Sequence, residues 1–296
     1  MRKAIPFLVW AGAVAATLAA LVGTAVYFLY VPPQPPPHLS GETISGRIRS
    51  GGLIRSYRVY LPGSLKLGAP LLMVLHGSMG SAQIIRTDTG YGFDRIADRE
   101  GFAVAYPNGV DGYWNACNIV GGDTASIREI DDVGFLTALT DALVARFHLD
   151  RHRVFAVGLS RGGQMAYRLA LEAPEHFRAV AAAGANVPAP GNFKCYPRAG
   201  RPSSVLIMNG TDDPLNPYYG GRVRLFGLFM DRGMSLSSDD TAQFFRSRGG
   251  EARLVKIEGG GHALPQPWRR APRLLGPTLA TPNGPEVIWS FFKTQR

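Results

Sequence analysis

Ser160, Asp213 and His262 have the residue types and the chain order that acyl transfer requires. Ser160 lies in the segment Gly158–Gly162, between an apolar run that predicts a strand and a segment that predicts a helix. Glycines two positions before and after such a serine prevent collisions with the adjoining elements and leave the hydroxyl exposed. An isolated Gly-x-Ser-x-Gly match is equally compatible with an ordinary glycine-rich loop. The strand before it and the helix after it favour a nucleophile.

An acid and a base follow at the ends of two later strands. The apolar run Ser204–Met208 leads to Asp212 and Asp213, and the run Ala252–Ile257 leads through three glycines to His262. His262 is therefore the predicted base, since consecutive glycines are costly in folding entropy and need a reason. Asp213 is the predicted orienting acid and Asp212 is the alternative, because an aspartate before proline is also ordinary turn chemistry.

Backbone N–H groups are the expected donors to the oxyanion of an acyl-transfer reaction. The apolar run Leu71–Leu75 predicts a strand, and the loop after it contains His76 and Ser78. We assign the two donors to the N–H groups of Ser78 and Arg161. We expect His76 to shape this loop through hydrogen bonds and not to act as the base.

These motifs resemble the polyhydroxybutyrate depolymerase and feruloyl esterase group of secreted α/β-hydrolases. The resemblance spans residues 45–292 and is carried by seven segments: Leu75–Ser78, Tyr106–Gly109, Tyr113–Asn115, Asp131–Phe135, Gly158–Gly163, Asn209–Pro214 and Gly259–His262. It implies that Ser160, Asp213 and His262 form the triad of an enzyme that hydrolyses carboxylic esters. Two residues depart from the group's pattern, which usually has a histidine in place of Asn209 and a smaller residue in place of Arg161. We therefore expect a different charge at the rim of the site.

The predicted function is serine-dependent hydrolysis of small or oligomeric esters, of feruloyl, acetyl or hydroxyalkanoate type, through an acyl-enzyme. This chemistry requires no metal and no organic cofactor. An acyltransferase with a sugar or lipid acceptor is the alternative, because the same acyl-enzyme serves both reactions. A catalytically silent binding protein is a third interpretation, against which the intact, correctly ordered triad argues.

The alternation of predicted strands and helices indicates an α/β-hydrolase fold, with a mostly parallel central sheet covered by helices on both faces. We assign residues 1–31 to a signal-anchor or signal-peptide helix, 32–41 to a proline-rich linker and 42–296 to the catalytic domain. The predicted strands are a hairpin over 43–60 and the segments 71–75, 102–106, 153–157, 179–183, 204–208 and 253–257. The predicted helices cover 93–99, 130–147, a segment after Ser160, 239–248 and 286–292.

The N-terminal segment predicts export and attachment to a membrane. Arg2 and Lys3 precede an uncharged apolar run from Ala4 to Val31, which exceeds the about 20 residues that span a bilayer. The two cations favour a cytoplasmic N-terminus, so the catalytic domain would be extracytoplasmic, periplasmic or on the cell surface. Small residues between Ala11 and Ala20 leave cleavage and secretion as an alternative. The prolines at 32–37 predict a stiff extended stalk.

Two cysteines, Cys117 and Cys195, lie in predicted loops at the carboxyl ends of strands, above the site. An exported domain meets an oxidising compartment, so we expect a disulfide between them; two buried free thiols are the alternative.

The net charge is +10, mostly from arginine. It favours an anionic membrane or acidic wall polymers as a partner, although a compositional bias of the genome explains it equally well. No clustered basic run argues for nucleic acid.

Aromatic residues near the expected pocket mouth are the predicted binding residues for an acyl group, with a packed lid as the alternative. These are Trp114, Tyr218, Phe226 and Trp268. The long connection over residues 219–238 is the predicted lid.

Overall fold

The computed structural model describes residues 4–225 and 229–295. Ten strands form in this part of the chain, and eight of them make one sheet. The strands are β1 (Glu42–Ser50), β2 (Leu53–Leu61), β3 (Leu71–Leu75), β4 (Ala103–Pro107), β5 (Val154–Leu159), β6 (Ala179–Ala183), β7 (Ser204–Gly210), β8 (Gly221–Leu225), β9 (Phe229–Ser235) and β10 (Ala252–Ile257).

The large sheet has the order β1-β2-β4-β3-β5-β6-β7-β10. In this sheet, β2 pairs antiparallel with both β1 and β4, and the six strands β4, β3, β5, β6, β7 and β10 run parallel to one another. The central strands are buried along their length, as expected for parallel strands that are covered on both faces. The predicted α/β-hydrolase fold is confirmed.

Helices cover both faces of this sheet. They are α1 (Ala4–Leu29), α2 (Ala82–Asp88), α3 (Gly92–Glu100), α4 (Thr124–Ile127), α5 (Asp132–Phe147), α6 (Arg161–Glu172), α7 (Ser238–Arg246) and α8 (Gly284–Thr294). One apolar core lies between the sheet and α5, α6 and α7, and includes Phe135, Tyr167 and Phe245. The other lies beneath α2, α3 and α8, and includes Phe93 and Trp289. The carboxyl ends of the parallel strands are thereby left as the edge where loops can form a site.

Three elements differ from the sequence prediction. The helix α2 follows the β3 loop, and its N-cap is Ser81, whose hydroxyl accepts the N–H of Ile84 at 3.2 Å. The short helix α4 is capped in the same way by Asp123. The predicted lid over 219–238 contains the antiparallel hairpin β8–β9, because Gly221 pairs with Ser235.

The N-terminal helix α1 contributes no described residue to either apolar core. Among the described residues, α1 is the one helix that is long and apolar enough to cross a membrane, over its segment Val9–Leu29. None of that segment is buried against the rest of the protein. Residues 30–39, which contain the prolines, form neither helix nor strand. The end of α1 contacts a 3₁₀ turn at Arg273–Leu275, where the Arg273 guanidinium donates to the Tyr27 carbonyl at 3.0 Å.

Candidate active site

The turn between β5 and α6 holds Ser160 in a strained backbone conformation, with φ 57° and ψ −121°. Its N–H donates to the Ala183 carbonyl at 2.8 Å, which fixes the turn to the next strand. A Cβ on Gly158 would lie 2.0 Å from the Gly162 carbonyl oxygen, and one on Gly162 would lie 2.3 Å from the Leu75 carbonyl oxygen. Both glycines are therefore required, and strain of this kind is characteristic of functional turns.

The structure brings His262 against Asp213. His262 Nδ1 lies 2.7 Å from Asp213 Oδ2, and both side chains are buried. The other carboxylate oxygen of Asp213 accepts the N–H groups of Leu215 and Asn216, each at 2.8 Å. Asp212 Oδ1 instead accepts a hydrogen bond from the Thr211 hydroxyl. The carboxylate that faces the imidazole is thus the predicted Asp213 and not the alternative.

Ser160 and His262 line the same cavity, whose volume is about 340 Å³. This size falls at the lower end of the roughly 300–1,000 Å³ typical of ligand pockets. No hydrogen bond joins the Ser160 hydroxyl to His262 among the described residues, and such bonds often tighten only when substrate binds. Half of the other lining side chains are aliphatic: Met79, Ile84, Ile85, Leu159, Leu215, Val223 and Leu275.

The loop after β3 passes directly beside the serine. Gly77, Ser78 and Met79 line the cavity, and a Cβ on Gly77 would lie 3.3 Å from Ser160 Cβ. The N–H of Ser78 therefore belongs to a loop that reaches the reacting hydroxyl, and Arg161 N–H is the first of α6. Two such donors are what an oxyanion requires, and both remain a prediction.

His76 holds this loop in place through hydrogen bonds. Its Nε2 accepts the Gly109 N–H at 2.9 Å, so its Nδ1 carries the proton and donates to the Gly77 carbonyl at 2.7 Å. The His76 carbonyl in turn accepts the indole N–H of Trp114 at 2.9 Å. Burial lowers the pKa of His76 to about 4, so this imidazole is neutral at physiological pH. It positions the loop and does not reach the serine hydroxyl.

The side chain of Arg161 is buried beneath the site, where it joins three segments of chain. Its guanidinium donates to Trp114 O, Asn118 Oδ1, Gln164 Oε1, Ser126 Oγ and Asp123 Oδ2, at 2.5 to 3.2 Å. Burial lowers the pKa of Arg161 to about 10, which still leaves it charged. Its departure from the family pattern therefore adds an internal ion pair with Asp123. The charge expected at the rim is instead buried.

Asp123 also pairs with Arg232, whose guanidinium lies 2.8 Å away and also donates to the Gly121 carbonyl. Arg232 belongs to β9 and lines the cavity. One buried carboxylate thus connects Arg161, the residue after Ser160, with the β8–β9 hairpin. Sequence analysis missed Asp123 and Arg232, although the N-cap pattern before α4 is a signal for the position of Asp123.

Asn209, the second departure from the family pattern, is fully buried at the end of β7. Its NH₂ group lies within hydrogen-bond distance of three acceptors, the Ala185 carbonyl, Asn186 Oδ1 and Ser238 Oγ, which share its two N–H bonds. Its oxygen accepts the Ala185 N–H at 3.1 Å, so the amide is fully hydrogen-bonded. Asn209 therefore joins the ends of β6 and β7 to α7.

The predicted disulfide is confirmed: Cys117 and Cys195 are bonded, with their Cα atoms 4.8 Å apart. Cys117 precedes Asn118, which accepts from the Arg161 guanidinium. The disulfide consequently restrains the loop that holds Arg161.

The structure does not bring the predicted aromatic residues into the wall of the cavity. Trp114 is completely buried behind the β3 loop, and Tyr218 is 4% exposed and packs beside Tyr219. Trp268 lies against Arg95, whose guanidinium is 5.4 Å from a ring centroid. None of these three residues lines the cavity, because each packs against protein. Phe226 lies outside the described residues.

Solved structures share this fold. The structure titled "Crystal structure of esterase PE8" aligns over 87% of this chain and 99% of that chain, with a TM-score of 0.51 and 17% sequence identity. A structure described as a thermostable esterase covers 75% of this chain with a TM-score of 0.50. At such identities the comparison establishes the α/β-hydrolase fold.

Residues 55–190, from β2 to beyond β6, match the family described as "Esterase PHB depolymerase". The resemblance that the motifs indicated is thus confirmed over this segment of the chain. It is 34% identical over 196 residues to "Putative esterase NocK" of Nocardia uniformis subsp. tsuyamanensis, which covers 64% of this chain. The chain spans about half of that relative, 54% of its length. It is also 28% identical to feruloyl esterase C of Emericella nidulans, over 80% of this chain and 83% of that protein.

Proposed function

We propose that the protein is an extracytoplasmic serine hydrolase that cleaves carboxylic esters through an acyl-enzyme. Ser160 is the nucleophile, His262 the general base and Asp213 the residue that orients it. The observation that carries this proposal is the His262–Asp213 pair, which faces the same cavity as a serine held in a strained turn. The N–H groups of Ser78 and Arg161 are the proposed oxyanion donors.

In the first half-reaction, His262 Nε2 accepts the hydroxyl proton as Ser160 Oγ bonds to the carbonyl carbon of the ester. The tetrahedral oxyanion collapses, the bond to the alcohol oxygen breaks, and the imidazolium protonates the departing alcohol. In the second half-reaction, water gives a proton to His262 and attacks the acyl carbon. Ser160 then departs with that proton, and a carboxylic acid is released.

The orientation of the base follows from the three hydrogen bonds to Asp213. Its Oδ1 is held by two backbone N–H groups, so its Oδ2 is directed at His262 Nδ1. The proton of the neutral imidazole is therefore on Nδ1, and Nε2 is free to accept the serine proton.

The extracytoplasmic location is supported by the disulfide and by the apolar helix α1. Disulfides persist in oxidising compartments, and an apolar N-terminal helix directs export. We propose that α1 is retained as an anchor and that residues 32–41 link it to the catalytic domain over 42–296.

Labelling with a fluorophosphonate tests the nucleophile directly. The full chain in detergent is compared with Ser160→Ala and with Ser45→Ala, which removes an exposed hydroxyl on β1 as a matched control. We expect the wild type and Ser45→Ala to be labelled and to hydrolyse p-nitrophenyl butyrate, and Ser160→Ala to do neither. Labelling of Ser160→Ala at the wild-type level would refute the assignment. Addition of an alcohol acceptor then distinguishes hydrolysis from transfer, since a transferase would yield the new ester in preference to free acid.

A further inference from the structure

The contact between the membrane helix and the catalytic domain lies close to the catalytic histidine. The Tyr27 carbonyl belongs to the last turn of α1, where carbonyls have no partner within the helix. Arg273 supplies that partner at 3.0 Å, and its guanidinium lies 4.4 Å from the centroid of the Tyr27 ring. Two residues later, Leu275 lines the cavity and its carbonyl accepts the His262 N–H at 2.6 Å. One short turn therefore touches both the membrane anchor and the active site.

The composition around this contact suits the surface of a bilayer. Tyr27 and Phe28 lie in the last turn of the apolar helix and Tyr30 follows it, at a level where aromatic residues favour the interface between lipid and water. Arg270 and Arg273 are exposed in the segment that contacts the helix end. Arginines at this level attract anionic headgroups.

The mouth of the cavity is apolar and exposed. Met79 is 64% exposed and Ile84 is 45% exposed, and both line the cavity. Leu159 and Leu215 are among the aliphatic side chains of its wall, and no phenylalanine, tyrosine or tryptophan lines it within the described residues. A flexible aliphatic chain matches this wall better than an aromatic ring, whose binding relies on stacking.

We infer that the substrate is an amphiphilic ester residing in the same bilayer as α1, whose aliphatic acyl chain enters the cavity across Met79 and Ile84. This inference rests on the proposed hydrolase function and on retention of α1. The contact of Arg273 with Tyr27 holds the cavity near the membrane surface, and the exposed apolar mouth allows an acyl chain to leave the lipid without crossing water.

The test reconstitutes the full chain in vesicles of diether phosphatidylcholine and diether phosphatidylglycerol, lipids without ester bonds. The probe is 4-methylumbelliferyl oleate, placed either in the vesicles that hold the enzyme or in separate vesicles mixed with them. We expect hydrolysis at least about tenfold faster when enzyme and ester share a membrane, because confinement raises their effective concentration. Methyl ferulate should be a poorer substrate than the oleate in the shared membrane.

Two charge reversals isolate the membrane contact. Arg273→Glu should lower the rate in the shared membrane about fivefold, the scale of one arginine at an anionic surface. Its rate on soluble p-nitrophenyl butyrate should equal that of the wild type. Arg178→Glu is the matched control, since Arg178 is an exposed arginine before the amino end of β6, at the opposite edge of the sheet. This control should change neither rate.

Equal rates in shared and separate vesicles, or faster cleavage of methyl ferulate, would overturn this inference. Recovery of the cellular protein without α1 would do the same. In each case Ser160-dependent cleavage of p-nitrophenyl butyrate would leave the hydrolase proposal intact. Failure of the wild type to cleave any ester would instead remove the hydrolase function itself.

Discussion

The substitution Asp213→Asn should leave the fold intact and remove most of the activity. In the native site, Asp213 Oδ1 accepts the N–H groups of Leu215 and Asn216. An asparagine satisfies these two donors only with its oxygen, so its NH₂ group must face His262 Nδ1. Nδ1 then becomes an acceptor and the imidazole proton moves to Nε2, which can no longer accept the serine proton.

The expected loss is about 10⁴-fold in kcat, the size seen when an orienting carboxylate becomes an amide, or about 5 kcal/mol of barrier. The assay is hydrolysis of p-nitrophenyl butyrate, with thermal unfolding to verify the fold. Asp212→Asn is the matched control, because Asp212 is adjacent in sequence but bonds to Thr211. A loss of less than about tenfold in Asp213→Asn, or an equal loss in Asp212→Asn, would refute the reasoning.

Three further predictions concern stability. Arg161→Met leaves the buried Asp123 carboxylate without one of its cations and should lower the free energy of unfolding by about 3–5 kcal/mol, measured by thermal unfolding. The control Arg151→Met, at an exposed ion pair, should lower it by less than about 1 kcal/mol. Replacement of Cys117 and Cys195 together by serine should lower stability by up to about 4–5 kcal/mol in urea titrations, and unchanged stability would contradict a structural disulfide. Burial lowers the pKa of His76 to about 4 in the folded protein. As the pH falls, the unfolded chain therefore binds a proton at this histidine at a higher pH than the folded protein does, which lowers the free energy of unfolding. Between pH 7 and 4 the wild type should therefore lose about 3 kcal/mol more than His76→Gln, and parallel pH profiles would refute this.

Much of the site could be predicted because its residues are determined locally. Ser160, Asp213 and His262 each follow a short apolar run and lie in turns rich in glycine or aspartate. Parallel strands place their carboxyl ends at one edge, so three turns that are distant in sequence become neighbours. The strands themselves were recognisable for the same reason, since buried parallel strands are continuous apolar runs.

The remaining features depend on contacts between segments that no local pattern specifies. Asp123 is 38 residues from Arg161 and 109 residues from Arg232, and nothing near Asp123 indicates either partner. The burial of Trp114 away from the cavity could not be predicted, because a large ring is equally suited to a core and to a pocket mouth. Burial is decided by how the loops pack, and the sequence around Trp114 is compatible with both outcomes.

The carboxylate shared by Arg161 and Arg232 limits how the wall of the cavity can be altered. The β8–β9 hairpin forms one wall of the cavity, so it is an attractive segment to exchange when a different acyl preference is wanted. Its Arg232, however, binds the same oxygen of Asp123 as the residue that follows the nucleophile. A transplanted hairpin without an arginine at position 232 would change the wall of the cavity and would also remove one of the two arginines that bind Asp123. A change of substrate selectivity in this fold would therefore also change the reaction rate, unless the new hairpin keeps an arginine at position 232.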